Sequence, residues 1–182
     1  MLQLLDKKET ELVELFSKEQ LQQRIVELAT QINNDYSDEE ELYVISILKG
    51  AVLFAIDLAK NITLPTQMEF IRLTSYGNEE KSSGKIKAVD LTLPNLRNKN
   101  VLIVEDIIDT GLTMEFLLSY IRSQHGPKSL KVATLLDKHE ARTQNVQVDY
   151  VGFPIDNKFV VGYGLDYRGF YRNLPYIGYF PN

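Results

Sequence analysis

Two adjacent carboxylates, Glu105 and Asp106, follow the apolar run Val101-Leu102-Ile103-Val104. After Ile107 and Ile108 comes a third acid, Asp109, and then Thr110-Gly111-Leu112-Thr113, two hydroxyls and a glycine at the start of a helix-like pattern. Free N–H groups and the positive dipole end at a helix start favour a phosphate. Gly111 lets the backbone come close to such a group. Carboxylates accept hydrogen bonds from sugar hydroxyls and favour a nearby Mg²⁺. Sugar hydroxyls at one end and phosphate at the other describe a ribose 5-phosphate. Taken singly, the acids could be solvated loop residues and Thr110 a helix cap. The complete unit of strand, paired acids, loop and helix is what argues for a ligand.

Such a unit needs a scaffold. Ser17 and Gln20 have the spacing of a capping box, and Leu21, Ile25, Leu28 and Ile32 fall on one helical face. Tyr43 to Leu48, Met68 to Leu73, Val101 to Val104 and Lys131 to Leu136 read as strands, the nearly continuous apolar ones as buried and parallel. Ala51 to Lys60 reads as a helix. A second helix follows Thr113, carrying Phe116, Leu117, Tyr120 and Ile121, and Gly126-Pro127 closes it. Val89, Leu91 and Leu93 alternate with polar residues, as in an exposed antiparallel strand, and Val148 to Phe153 and Phe159 to Val161 are short strands. Strand–helix alternation predicts an α/β fold with a parallel sheet, whose ligands sit beyond the carboxyl ends of the strands. The polar, glycine-containing stretch from 74 to 85 reads as a long loop of the lid or binding kind.

Composition bounds the partners. The 182 residues are 44% hydrophobic and 25% charged, which suits one globular domain spanning 1–182. A net charge of −5 argues against a nucleic-acid-coating protein and requires any anion site to be local. There is no cysteine, which excludes disulfides, thiolate catalysis and cysteine-held zinc. The N-terminus turns charged too early for a signal peptide, and no apolar run reaches the ~20 residues that span a membrane. No membrane partner is expected, and the cytoplasm is the simplest placement.

The segment Glu105-Asp106-Ile107-Ile108-Asp109-Thr110-Gly111-Leu112-Thr113 resembles the phosphoribosyl pyrophosphate (PRPP) motif of the type I phosphoribosyltransferases. Alone it points to the sugar-phosphate and leaves the base open. Leu112 stands where some members carry lysine, which leaves the 5-phosphate to backbone and hydroxyl donors.

Three further segments resemble the hypoxanthine–guanine branch of that family, in the expected order. In Leu48-Lys49-Gly50, the resemblance implies a non-proline cis peptide before Lys49 and a pyrophosphate-binding role for Lys49 and Gly50. Leu135-Leu136-Asp137-Lys138-His139-Glu140-Ala141-Arg142 is similar to the purine-recognition loop, with Lys138 as the donor to O6. Adenine presents an amino donor there, so two donors would face each other unpaired. His139 departs from the pattern, and neither it nor His125 is given a role. The third segment, Lys158 to Arg172, resembles the C-terminal signature. It implies Phe159 stacked on the purine, Val160 reading the base edge through its backbone, and Asp166 in the metal and base region. Arg172 would meet pyrophosphate oxygens with its planar fork. Tyr163 is read as a core residue. Ser75 and Tyr76 match the start of the family's mobile loop.

The resemblance thus implies a type I fold with a small hood built from both chain ends. It implies transfer of phosphoribose from PRPP to hypoxanthine or guanine with Mg²⁺ held near Glu105, Asp106 and Asp166, Asp109 as the base near purine N7, and a homodimer or homotetramer. Two rivals use the same motif: a pyrimidine transferase and an RNA-binding regulator. The second should show a basic face, and the first has no need of Lys138 with Phe159 and Val160.

Overall fold

Helix α1 (Lys18–Asp35) is held at its start by the reciprocal pair expected of Ser17 and Gln20: Gln20 N donates to Ser17 Oγ (3.3 Å), and Ser17 N donates to Gln20 Oε1 (2.8 Å). Its apolar stripe, Leu21, Ile25, Leu28 and Ile32, is fully buried. The computed structural model describes residues 12–76 and 85–181, with the backbone alone at 74–76 and 85–90.

The stripe packs on one face of a six-stranded sheet. Its strands are β2 (Leu42–Leu48), β3 (Thr66–Tyr76), β4 (Lys85–Asp90), β5 (Asn100–Ile108), β6 (Ser129–Asp137) and β7 (Tyr150–Pro154). Their order is β4-β3-β2-β5-β6-β7. Five strands run parallel, and β4 pairs antiparallel at one edge. The continuous apolar runs of β2 and β5 follow from burial on both faces. Val44, Leu102 and Val104 join the core under α1 and α2 (Val52–Ala59). Ile45, Ile47, Val101 and Ile103 point the other way, into the core under α3 (Leu112–His125). Removing any one of these side chains, as in Leu102→Ala, costs about 2–5 kcal/mol.

On α3 the buried residues are Met114, Leu117, Leu118 and Ile121. Phe116 and Tyr120, expected on the same face, are half-buried beside it and stack on one another (ring centroids 6.4 Å apart). Gly126, at φ 56°, ends the helix in the left-handed conformation.

Several expected boundaries move: the strand read through Val89, Leu91 and Leu93 is β4 and ends at Asp90, and the one read from Val148 to Phe153 is β7, Tyr150–Pro154. The strand read as ending at Val104 continues to Ile108, because its ladder with β6 runs on through Glu105–Thr134, Ile107–Leu136 and Ile108–Asp137. The paired acids therefore lie within the strand. The loop expected over 74–85 is shorter, since β3 runs to Tyr76 and pairs with Lys85 at the start of β4. Its remainder, 77–84, lies outside the described residues.

A second sheet joins the two ends of the described chain. β1 (Val13–Phe16) pairs antiparallel with β9 (Ile177–Tyr179), which pairs with β8 (Val160–Val161). Phe159 lies just outside β8. Stacking of Phe16 on Phe153 (centroids 4.2 Å apart) fixes this sheet beside β7. Among the described residues no helix is long and apolar enough to cross a membrane.

Candidate active site

The register of the parallel strands brings Lys49, Asp109 and Lys138 to one edge of the sheet. Leu48 ends β2 and Lys49 follows it, exposed, across the expected cis peptide. Ile108 pairs with Asp137, so Asp109 and Lys138 each stand one residue beyond a ladder end. The link is direct: Lys138 N donates to Ile108 O at 3.0 Å. This is the carboxyl edge, where ligands of open α/β sheets bind.

Glu105, Ile107, Ile108, Asp109, Thr110, Gly111 and Thr113 line one cleft of about 160 Å³. Gly111 is the N-cap of α3, at φ 84°, with no side chain to satisfy the first turn. Thr110 Oγ1 reaches Leu112 N only at 3.5 Å. The first-turn N–H groups therefore lack a side-chain cap and are available as donors to an anion. Asp109 and Thr110 are exposed, while Leu112 and Thr113 are half-buried.

Glu105 and Asp106 occupy successive positions near the end of β5, and their carboxyls stay within hydrogen-bonding reach of one another. Glu105 turns inward and is only 8% exposed. Burial, then the negative charge of Asp106, pushes its carboxyl well above the usual carboxylate range. A cation or a row of hydroxyl donors beside it would restore the charged form. Asp106 turns toward the loop after β2. A Cβ on Gly50 would stand 1.7 Å from Asp106 Oδ2, so a side chain there would have to displace that carboxylate. A Cβ on Gly164 would stand 2.0 Å from Gly50 O. Gly50 is thus held between the acidic pair and the C-terminal segment.

That segment is pinned further. Gly164, at φ 100°, donates its N–H to Arg172 O (2.9 Å), and Arg172 Nη1 donates to Gly164 O (2.6 Å). Arg172 also pairs with Asp166, whose other oxygen accepts from Gly169 N (2.7 Å). The two residues expected to meet metal and pyrophosphate thus meet each other here. Tyr163 is buried, as expected of a core residue, but its hydroxyl also donates to Asp57 Oδ2 on α2 (2.7 Å).

Phe159 is 58% exposed and forms a second cleft of about 300 Å³ with Asn157, Lys158, Tyr179 and Phe180. Tyr167 supports it edge-on at 5.7 Å. An exposed phenyl ring with a braced edge presents a free face for stacking. Val160 is buried in β8, and the ammonium-bearing Lys138 is only 8% exposed. His139 is exposed in a single 3-10 turn, His139–Ala141, and His125 is half-buried in the last turn of α3, its ring near Tyr120.

Size alone does not mark the site. A larger cleft, about 440 Å³, lies at the amino ends of β2 and β5. Both of its lysines are paired with acids of the same cleft, Lys128 with Glu39 (2.7 Å) and Lys99 with Glu41. Sequence reading passed over Gly164, Asp57 and Arg142. None of the three left a signal, since their contacts depend on distant segments meeting or on burial.

Comparison with known proteins agrees with this geometry. The phosphoribosyl transferase domain model matches residues 13–168. A hypoxanthine-guanine phosphoribosyltransferase of Mycobacterium avium is 47% identical over 169 residues, 90% of this chain and 83% of that one. The crystal structure of a hypoxanthine-guanine phosphoribosyltransferase of Bacillus anthracis, with a HEPES molecule in the active site, superposes with a TM-score of 0.87. It is 46% identical and covers 93% of this chain and 99% of that one. A Trypanosoma cruzi hypoxanthine phosphoribosyltransferase in complex with the product IMP superposes with a TM-score of 0.85, at 40% identity over 92% of this chain and 93% of that one. The chain belongs to the phosphoribosyltransferase family, in its hypoxanthine–guanine branch.

Proposed function

We infer that this purine salvage enzyme transfers the 5-phosphoribosyl group of PRPP to N9 of hypoxanthine or guanine, giving IMP or GMP and pyrophosphate. The observation that carries the reading is the shared edge. One cleft holds an acid strand-end, Asp109 and an uncapped helix start, and Lys138 stands bonded to the same strand end through Ile108.

The C1′–pyrophosphate bond breaks as N9 attacks, and positive charge develops on the ribose and then on the purine ring. The backbone and hydroxyls of Thr110 to Thr113 hold the 5-phosphate. Glu105 and Asp106 accept from the ribose hydroxyls. Asp109 takes or shares the purine proton near N7 and stabilises ring charge. Lys49 and Arg172 meet the departing pyrophosphate, with Gly50 bringing the backbone close to it. Lys138 donates to O6, Phe159 stacks on the ring, and the backbone of Val160 with Asp166 bounds its edge. For Ser75 and Tyr76 the resemblance alone supports a lid role.

Mg²⁺ is the cofactor this reading requires, and it neutralises the pyrophosphate when bound. The donors fit it only in part. Among the described residues no three acids or histidines gather as a metal cage, and Asp166 is engaged by Arg172. Mg²⁺ commonly takes one or two carboxylates and completes its shell with substrate oxygens and water. Glu105 and Asp106 supply that many. A cytoplasmic homodimer or homotetramer of single-domain chains completes the proposal, supported by the resemblance.

The test is a panel of bases. Purified protein with PRPP and Mg²⁺ is given hypoxanthine, guanine, xanthine, adenine and uracil in turn, and nucleotide is followed by absorbance. Turnover of hypoxanthine and guanine, and none of adenine or uracil, is expected, and the xanthine rate ranks the third 6-oxopurine. Turnover of uracil, or of no base, would redirect the assignment to the pyrimidine or regulatory reading.

A further inference from the structure

Arg142 is the least explained charged residue near the site. Its guanidinium is nearly buried, with side-chain exposure of 10%, against 12% for its partner Asp137. Arg142 Nη2 donates to Asp137 Oδ1 (2.5 Å) and Nη1 to Val146 O (2.9 Å), while Nε is buried without a protein partner. An exposed pair would contribute little, but a buried one fixes geometry, because either charge left alone would be costly.

The two ends of this pair touch the two halves of the site. Asp137 is the last residue of β6 and immediately precedes Lys138. Past Arg142 the chain turns back onto the phosphate loop: Thr143 N and Gln144 N both donate to Thr110 O, at 3.0 and 3.1 Å. The wall behind Gly111 is the same segment. A Cβ on Gly111 would find Val146 Cγ2 at 3.3 Å, Gln144 Cβ at 3.4 Å and Arg142 Cδ at 3.5 Å.

We propose that Arg142 is a positioning residue that ties purine recognition to 5-phosphate binding, by holding the base of Lys138 and the back of the Thr110–Gly111 loop in one rigid unit. This rests on the transferase reading above. Asp137 anchors one end of the tie through its carboxylate, and Thr110 receives the other through its carbonyl. A phosphate that orders the loop thereby also sets the height of Lys138 against the purine O6. Binding energy from a remote part of a substrate is used in this way to orient groups at the reacting end.

The test separates the tie from a merely structural role by using fragments of the product. Dissociation constants of IMP, inosine and ribose 5-phosphate are measured by calorimetry or fluorescence for the full-length wild type, Arg142→Met and Asp137→Asn. Arg142→Met is expected to bind IMP at least about tenfold more weakly, the worth of one charge-assisted hydrogen bond. Inosine and ribose 5-phosphate should each weaken much less, so that the loss for the whole exceeds the sum of the losses for the halves. Asp137→Asn, which keeps shape and one acceptor, should move the same way by a smaller factor and serves where the methionine variant fails to fold. IMP affinity unchanged in both variants, or a loss confined to one fragment, overturns the tie. Failure of the wild type to bind IMP at all overturns instead the transferase reading on which it rests.

Discussion

The carboxylate of Asp106 occupies the space that any side chain on Gly50 would need, with Oδ2 1.7 Å from where that Cβ would stand. Gly50 and Asp106 are therefore one packing unit, although 56 positions separate them in the sequence. Gly50→Ala must push Asp106 aside or tilt the loop that carries Lys49. Overpacking of this kind costs about 1–3 kcal/mol. The expected outcome is a lower melting temperature with a raised KM for PRPP and a nearly unchanged KM for the base. Equal changes in both KM values would argue against the contact as a PRPP-site element.

Asp109→Asn keeps size and removes the proton acceptor. Loss of a positioned general base lowers turnover by about 10²- to 10⁴-fold. Binding of PRPP should stay within a few-fold and the melting temperature should hold, because Asp109 is exposed at the ladder end. Turnover with guanine unchanged in this variant would mean that Asp109 is not the base.

Lys138 is the proposed donor to O6, and base choice tests it. Lys138→Met removes a charged donor worth about 1.5–3 kcal/mol, roughly 10- to 150-fold in kcat/KM for hypoxanthine and guanine. Adenine has nothing to lose there, so the ratio of hypoxanthine to adenine turnover should fall. A ratio that stays constant would place base selection elsewhere.

Tyr163 gives an alkaline signature. Burial first, and then its hydrogen bond to the Asp57 carboxylate, raise its hydroxyl above the ordinary value of 10.0. A phenol held neutral in the folded chain but free to ionise in the unfolded one contributes stability that is complete below that value. The contribution is lost as pH climbs above it. Tyr163→Phe should lower the melting temperature at pH 7, where a hydrogen bond worth about 1 kcal/mol is missing. Above pH ~10 the deficit should shrink, since the variant no longer resists ionisation. A deficit that does not change with pH would show that the hydroxyl is not held neutral by the fold.

Much of this was readable from residue order, for reasons that differ by element. β2 and β5 announce themselves because both of their faces are buried, which leaves unbroken apolar runs. The capping box and buried stripe of α1 are local patterns, and they appear as read. β1 and β9 left no signal: four and three residues are too short for a period of two to stand out, and each gains its place only from the other. The end of β5 was misplaced because Glu105 and Asp106 look like loop residues. Thr134 opposite Glu105 and Leu136 opposite Ile107 keep this stretch in the ladder with β6. The lining of the cleft beside Gly111 could be read through a motif of contiguous residues. The Gly50–Gly164 contact, the Tyr163–Asp57 bond and the Arg142 pair join segments far apart, or depend on burial that spacing does not carry.

The most direct check on the central claim is the initial rate of pyrophosphate release from PRPP in the presence of hypoxanthine, with and without Mg²⁺, and with uracil in its place. Release that requires both hypoxanthine and the metal, matched mole for mole by IMP, is what the arrangement at the carboxyl edge predicts. Release driven by uracil, or no release with hypoxanthine while PRPP still binds, would contradict it.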